Sequence, residues 1–176
     1  MLVEVRFEGM LLKQLWAPWR MTYIRSHKDE AECFLCEYPK LNRDEELYIL
    51  LRGENAYVIL NAFPYNNGHL MVAPYRHVVY PEDLTLSEAG EMFKLINLCI
   101  KALKRAFNPD GFNLGLNVGR AAGAGAEHLH VHVVPRWFGD TNFMPVLAET
   151  KVISQHLRET YIELKKALKE ICSSGD

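Results

Sequence analysis

Glu127-His128-Leu129-His130-Val131-His132-Val133-Val134-Pro135 places three of the chain's seven histidines at alternate positions. Strict alternation of polar and apolar residues predicts a strand from His128 to Val134, because successive side chains of a strand project to opposite faces. On that reading His128, His130 and His132 share one surface. Leu129, Val131 and Val133 occupy the other, where they fix the register against a core or a helix. Three chemistries suit such a row. A neutral imidazole can attack phosphorus and form a covalent phosphoramidate, a set of imidazoles can ligate zinc or iron, and imidazoles can bind phosphate oxygens. A solvated face that merely carries histidine is the plain alternative, and the clustering argues against it.

Immediately upstream, Gly119-Arg120-Ala121-Ala122-Gly123-Ala124-Gly125-Ala126 is built of small residues, which let backbone N–H groups approach an oxyanion closely. Before it, Phe112 to Val118 predicts the neighbouring strand. Thr85 to Phe107 has helical periodicity, with Thr85 and Glu88 spaced as a capping box and Asn108-Pro109-Asp110-Gly111 as the stop. Leu47 to Leu51, Ala56 to Leu60 and His69 to Ala73 are short apolar runs separated by turn residues, an antiparallel meander. After a loop from Trp137 to Pro145, Ser154 to Ile171 predicts a closing helix with one apolar face. Strands interrupted by one long helix and followed by another give an α+β domain with an antiparallel sheet. Residues 1–46 are expected to be an N-terminal arm and cysteine loop, and 47–176 the core of the same single domain. The arm, Leu11 to Ile24, is rich in aromatic residues and is expected to end in a short helix.

The 176 residues, 49% of them hydrophobic, suffice for one well-buried core. With a net charge of −2 and scattered basic residues, the electrostatic footprint of a duplex-binding protein is missing. No apolar run approaches the ~20 residues that span a bilayer, and the first eight residues carry acids where a signal peptide has its basic and apolar regions. A cytoplasmic protein without a membrane partner is expected. Cysteines at 33, 36, 99 and 172 are too few and too unevenly spaced for a secreted disulfide framework. Cys33-x-x-Cys36 has the spacing of half a zinc site, and no second such pair follows. A redox pair, which lacks a strand-to-helix context here, and two buried thiols are the alternatives.

The run His128-Leu129-His130-Val131-His132-Val133-Val134 matches the signature of the histidine triad family, and the chain resembles the branch that cleaves dinucleoside polyphosphates. Trp16-Ala17-Pro18-Trp19-Arg20, Asn61, Gly68-His69, Pro74, Asn117, the glycine-rich loop and Pro135-Arg136-Trp137 extend the likeness over most of the chain. The resemblance implies His130 as nucleophile toward the α-phosphate, His132 as holder of the non-bridging oxygens, and His128 as a stabilising or metal-ligating group. It implies further that Asn61 contacts the ribose, Asn117 the phosphate region, and that His69 lines the pocket. The backbone of Gly123 and Gly125 would face phosphate. Their loop lacks the hydroxyl or amide that relatives often carry, so backbone N–H groups or Arg120 are the substitutes.

Zinc-containing members of the family use a cysteine pair with similar histidine positions. A structural Cys33, Cys36, His77 and His128 site is therefore implied, with no organic cofactor, as is a homodimer or higher even assembly. Elementary chemistry agrees with the role of His130: the attacking imidazole must be neutral, with one nitrogen bare and the other donating its proton to a fixed acceptor such as a backbone carbonyl. Hydrolysis and phosphorolysis share this first step and remain alternatives. A phosphoramidase with the same nucleophile, a metal-dependent hydrolase using the triad as ligands, and a nucleotide-binding protein without turnover are the rivals.

Overall fold

The computed structural model describes residues 2–7, 10–15, 33–141 and 153–174, the first two stretches as backbone alone. It divides the chain into two units, Met1–Ala31 and Glu32–Asp176. In the first, β1 (Leu2–Phe7) pairs antiparallel with β2 (Met10–Leu15), from Leu2 opposite Leu15 to Phe7 opposite Met10. The beginning of the expected aromatic arm is thus a strand. The sequence signal for it is the alternation Val3-Glu4-Val5-Arg6-Phe7 ahead of Glu8-Gly9, a hairpin pattern. Trp16, Trp19 and the expected short helix lie outside the described residues.

The second unit is an α+β fold. A short helix α1 (Phe34–Glu37) and a 3-10 turn over Tyr38–Leu41 lead into β3 (Ile49–Arg52), β4 (Ala56–Leu60) and β5 (Leu70–Pro74). The long helix α2 (Leu86–Phe107), β6 (Gly111–Leu116), β7 (Val131–Arg136) and α3 (Leu157–Ser174) follow. The five strands run in the order β3-β4-β5-β7-β6, every neighbouring pair antiparallel. Thr85 caps α2 with both bonds of the capping box in place, which satisfies two of the amides a helix start leaves open. Asn108 ends the helix in the left-handed region.

Strand register sorts the core into two layers. Val58, Leu60, Leu70, Val72 and Val133 face α2 and α3, meeting Leu95, Cys99, Leu103, Leu164 and Leu168. Tyr57, Ile59, Met71 and Ala73 face the other way and bury Leu35 of α1. Because both faces are covered, β4 and β5 are buried at every residue and read as continuous apolar runs. His132 pairs with Met71 and so stands on the α1 side of the sheet. At one edge, β3 has its Ile49 and Leu50 carbonyls engaged by the Tyr161 hydroxyl (3.1 Å) and the Lys165 ammonium (2.7 Å) of α3. At the other edge, β6 leaves Leu114 and Leu116 about half exposed.

One boundary changes the reading of the site. The strand expected from His128 begins at Val131, so the three imidazoles are not a row on one strand face. Residues 128–130 leave the ladder because their groups are bound elsewhere: Leu129 N–H donates to the Val78 carbonyl at 2.6 Å, and the His128 ring donates to the Pro74 carbonyl at 2.9 Å.

Candidate active site

The turn joining β4 to β5 carries the first half of the site. Asn61 N–H donates to the His69 carbonyl, His69 N–H donates to the Asn66 carbonyl, and Asn61 Oδ1 accepts from Phe63 N–H at 2.9 Å. Gly68 adopts a φ of +73°, and a Cβ there would stand 2.9 Å from Leu103 Cδ2, so only glycine lets the turn lie against α2. Asn66 is buried and ties the turn to the far end of β7, donating to the Pro135 carbonyl (3.1 Å) and to Asp140 Oδ2 (2.7 Å).

These bonds fix the proton of each imidazole. His69 is fully buried, and its Nδ1 accepts from Tyr65 N–H at 3.1 Å and lies 3.3 Å from the Asn61 amide nitrogen. Backbone N–H can only donate, so the proton of His69 is on Nε2, which donates to His132 Nδ1 at 2.9 Å. His132 in turn carries its proton on Nε2. The Asn117 amide nitrogen stands 3.5 Å from that atom, so both donors can converge on one oxyanion. His130 donates from Nδ1 to the His128 carbonyl at 2.7 Å, which leaves its Nε2 lone pair bare. The His130 and His132 rings meet edge to face, centroids 4.7 Å apart. Burial is the main cause holding all three as neutral bases: it lowers His130, brings His132 down to about 4, and brings His69 to about 3, with the neighbouring imidazoles adding to the last two.

The glycine-rich connection joins β6 to the residues before β7. Gly119 and Gly123 take positive φ around a 3-10 turn over Arg120–Ala122, and Gly125 follows in the same connection. Arg120 is exposed and donates to both carboxylate oxygens of Glu127, at 2.9 and 3.3 Å.

His128 turns away from the other two imidazoles. Its Nε2–H donates to the Pro74 carbonyl, so Nδ1 is bare and lies 3.3 Å from the sulfurs of both Cys33 and Cys36. His77 Nδ1 lies 3.4 Å from Cys36 Sγ, and the four ligand atoms are all within 4.8 Å of one another. A tetrahedral zinc with ordinary Zn–S and Zn–N bonds has S···N edges of about 3.5 Å. The donor set and its spacing fit that ion, and the Pro74 carbonyl is the outer partner that holds a ligating imidazole in its tautomer. Without a cation, burial and the adjacent Cys33 push the Cys36 thiol up to about 11. Among the described residues this is the one group of three or more potential metal ligands.

Two contributors escape a reading of the sequence alone. Tyr65 supplies the amide that sets the His69 proton, and its ring lies 4.6 Å from that of His69 and 5.6 Å from that of His132. Asn66 anchors the turn. Both sit in Pro64-Tyr65-Asn66-Asn67-Gly68, whose composition signals a turn and nothing more.

Residues 43–139, which contain the turn, the imidazole pair and the glycine-rich connection, match the family model described as HIT domain. The chain belongs to the HIT domain family. It is 46% identical over 159 residues to an AP-4-A phosphorylase of Mycobacterium tuberculosis, an alignment covering 85% of this chain and 80% of that one. A bis(5'-adenosyl)-triphosphatase of Saccharomyces cerevisiae is 30% identical over 90 residues, 51% of this chain and 44% of its own. Among solved structures, a Zn-bound histidine triad family protein from Mycobacterium smegmatis superposes with a TM-score of 0.67 and 26% identity, covering 81% of this chain and 97% of that one. The sheet and helices of this chain are those of the HIT fold.

Proposed function

We propose that this HIT protein is an enzyme that cleaves dinucleoside polyphosphates, diadenosine tetraphosphate among them, through a nucleotidyl intermediate on His130. The observation that carries the reading is the commitment of His130 Nδ1–H to the His128 carbonyl, which leaves Nε2 as a bare base beside the donor of His132. Nε2 attacks the α-phosphorus, the N–P bond forms, and the P–O bond to the departing polyphosphate breaks. The resulting imidazolium keeps its Nδ1 proton on the carbonyl. His132 Nε2–H and the Asn117 amide bind the non-bridging oxygens as charge develops on them. Asn61 holds the ribose, His69 fixes His132 from behind, and the backbone of Gly123 and Gly125 faces the phosphates. Arg120, once released from Glu127, reaches the outer phosphates. An acceptor then attacks phosphorus from the opposite side, returns the electron pair to Nε2 and releases the nucleotide.

Similarity to a chain named as a phosphorylase supports inorganic phosphate as that acceptor. Incubation with diadenosine tetraphosphate, with and without phosphate, checks this: phosphate-dependent ADP plus ATP is expected. AMP plus ATP would replace phosphorolysis by hydrolysis, and undiminished turnover in His130→Ala would remove the nucleophile from the proposal.

Cys33, Cys36, His77 and His128 would hold a structural zinc, whose chemistry there is a four-point cross-link of α1, the segment after β5 and the residues before β7. Placing His128 in that set leaves His130 and His132 outside it, which argues against a triad that itself ligates a catalytic metal. A cysteine-rich zinc site suits a reducing compartment, and a cytoplasmic location is part of the reading. Among the described residues no helix is long and apolar enough to cross a membrane. A homodimer, or a higher even assembly built from it, is supported by the edge of β6, which pairs with no further strand among the described residues and exposes Leu114 and Leu116, and by Phe93, 65% exposed on α2.

A further inference from the structure

His128 is held at three points, and each serves a different neighbour. Its Nε2–H is on the Pro74 carbonyl, its Nδ1 faces both cysteine sulfurs, and its own carbonyl accepts the Nδ1 proton of His130. Residues 128–130 lie outside the sheet ladder, so regular strand pairing does not fix that carbonyl. What fixes it are the two ring bonds and the Leu129 amide on Val78. On the far side of the cysteine pair, His77 follows Arg76, which donates from Nε (2.9 Å) and Nη2 (2.7 Å) to the carboxylate of Glu88, the capping-box residue of α2. The ring of His128 is thereby connected through the tetrad to the start of the long helix.

We propose that the Cys33, Cys36, His77 and His128 tetrad is a positioning device for the nucleophile, in addition to any part it has in folding. The inference rests on the reading of the tetrad as a zinc site. A closed tetrad holds the His128 ring at both nitrogens, the backbone of residue 128 cannot rotate, and its carbonyl keeps the His130 proton on Nδ1. An open tetrad leaves the ring held at Nε2 alone. The carbonyl then shifts, His130 samples the tautomer with its proton on Nε2, and that tautomer has no lone pair to offer phosphorus. The expected effect is on turnover and not on binding, because the His128 ring turns to Cys33, Cys36 and Pro74, whereas the His132 and Asn117 donors are placed by other contacts. By the usual weight of outer partners in such sites, kcat falls roughly ten- to a hundredfold with KM little changed.

The test compares full-length protein as purified, after chelation, and after addition of zinc, with Cys36→Ser as a second route to an open tetrad. Metal content, circular dichroism, kcat and KM are measured on each. The protonation pattern of His130 is read by ¹⁵N NMR of histidine-labelled protein, assigned with His130→Ala. The expected result is stoichiometric zinc with one His130 tautomer in the purified protein. Chelation and Cys36→Ser should give a folded protein with mixed tautomers and a lowered kcat, and zinc should restore the chelated sample alone. Bound zinc whose removal changes neither tautomer nor kcat would overturn the positioning role and leave the zinc reading standing. Purified protein that holds no zinc and shows one tautomer at full activity would overturn both. Loss of the folded circular dichroism on depletion would also overturn the inference, making the tetrad a folding element only.

Discussion

His69 does not reach solvent, yet its single proton determines which end of His132 faces the open side of the site. Tyr65 N–H occupies its Nδ1, so Nε2–H must donate to His132, and His132 must present N–H outward. Removing the ring should let His132 take either tautomer. On the proposed reading, His132→Ala lowers kcat about a hundredfold or more, as loss of a transition-state donor does. His69→Ala lowers kcat by a smaller factor, and His69→Gln, whose amide can still donate to His132 Nδ1, recovers part of the loss. Steady-state kinetics of the three variants checks this order. If His69→Gln were as impaired as His69→Ala, the proton on His69 would not be what matters.

At the scale of elements, the β4–β5 turn depends on Gly68. An added Cβ would meet Leu103 at 2.9 Å and Phe107 at 3.4 Å, in a backbone conformation that side chains disfavour. Gly68→Ala should therefore destabilise the protein by about 1–3 kcal/mol in urea unfolding, from strain and overpacking together. Because Gly68 adjoins His69, turnover should fall in the same variant. Equal stability with normal turnover would mean that α2 yields at no cost.

How far these elements are legible in sequence depends on what holds them. Ala56–Leu60 and the capping box at Thr85 follow from local pattern, and the structure has both where the pattern puts them. The start of β7 does not, since the period-two pattern runs unbroken from His128 through Val133 whereas the strand begins at Val131. What keeps residues 128–130 out of the strand is the Pro74 carbonyl, the Val78 carbonyl and two sulfurs, all remote in sequence. The direction of each imidazole proton is equally hidden, because it is set by backbone groups whose positions only the fold supplies. The four clustered metal-ligand candidates were legible through resemblance, whereas spacing alone reached only the two cysteines.

For the whole molecule, burying neutral imidazoles links stability to pH. An unfolded histidine titrates near ~6.5. In the fold, His132 is lowered to about 4 and His69 to about 3, chiefly by burial. Below pH ~6.5 the unfolded chain takes up protons that the folded one refuses, so stability falls with falling pH. The stabilisation is fully present above about 6.5, declines as the pH falls through about 4 for His132 and about 3 for His69, and has gone once it passes below both. Urea midpoints measured from pH 8 to 4 should be level above 7 and descend below 6.5, and His132→Asn should make the descent shallower. A midpoint constant from pH 7 to 4 would mean that these imidazoles protonate in the folded state as readily as in the unfolded one.

The two ends of the sheet differ in what they offer another chain. Backbone acceptors of β3 are already bonded to Tyr161 and Lys165, whereas among the described residues nothing pairs with the outer side of β6. Edge-to-edge joining of sheets becomes a filament only if each copy can be extended at both ends. In the proposed homodimer, a strand laid against β6 would meet a second β6, while Tyr161 and Lys165 already occupy two carbonyls at the β3 margin of each copy. On that proposal, growth by that route would stop at two.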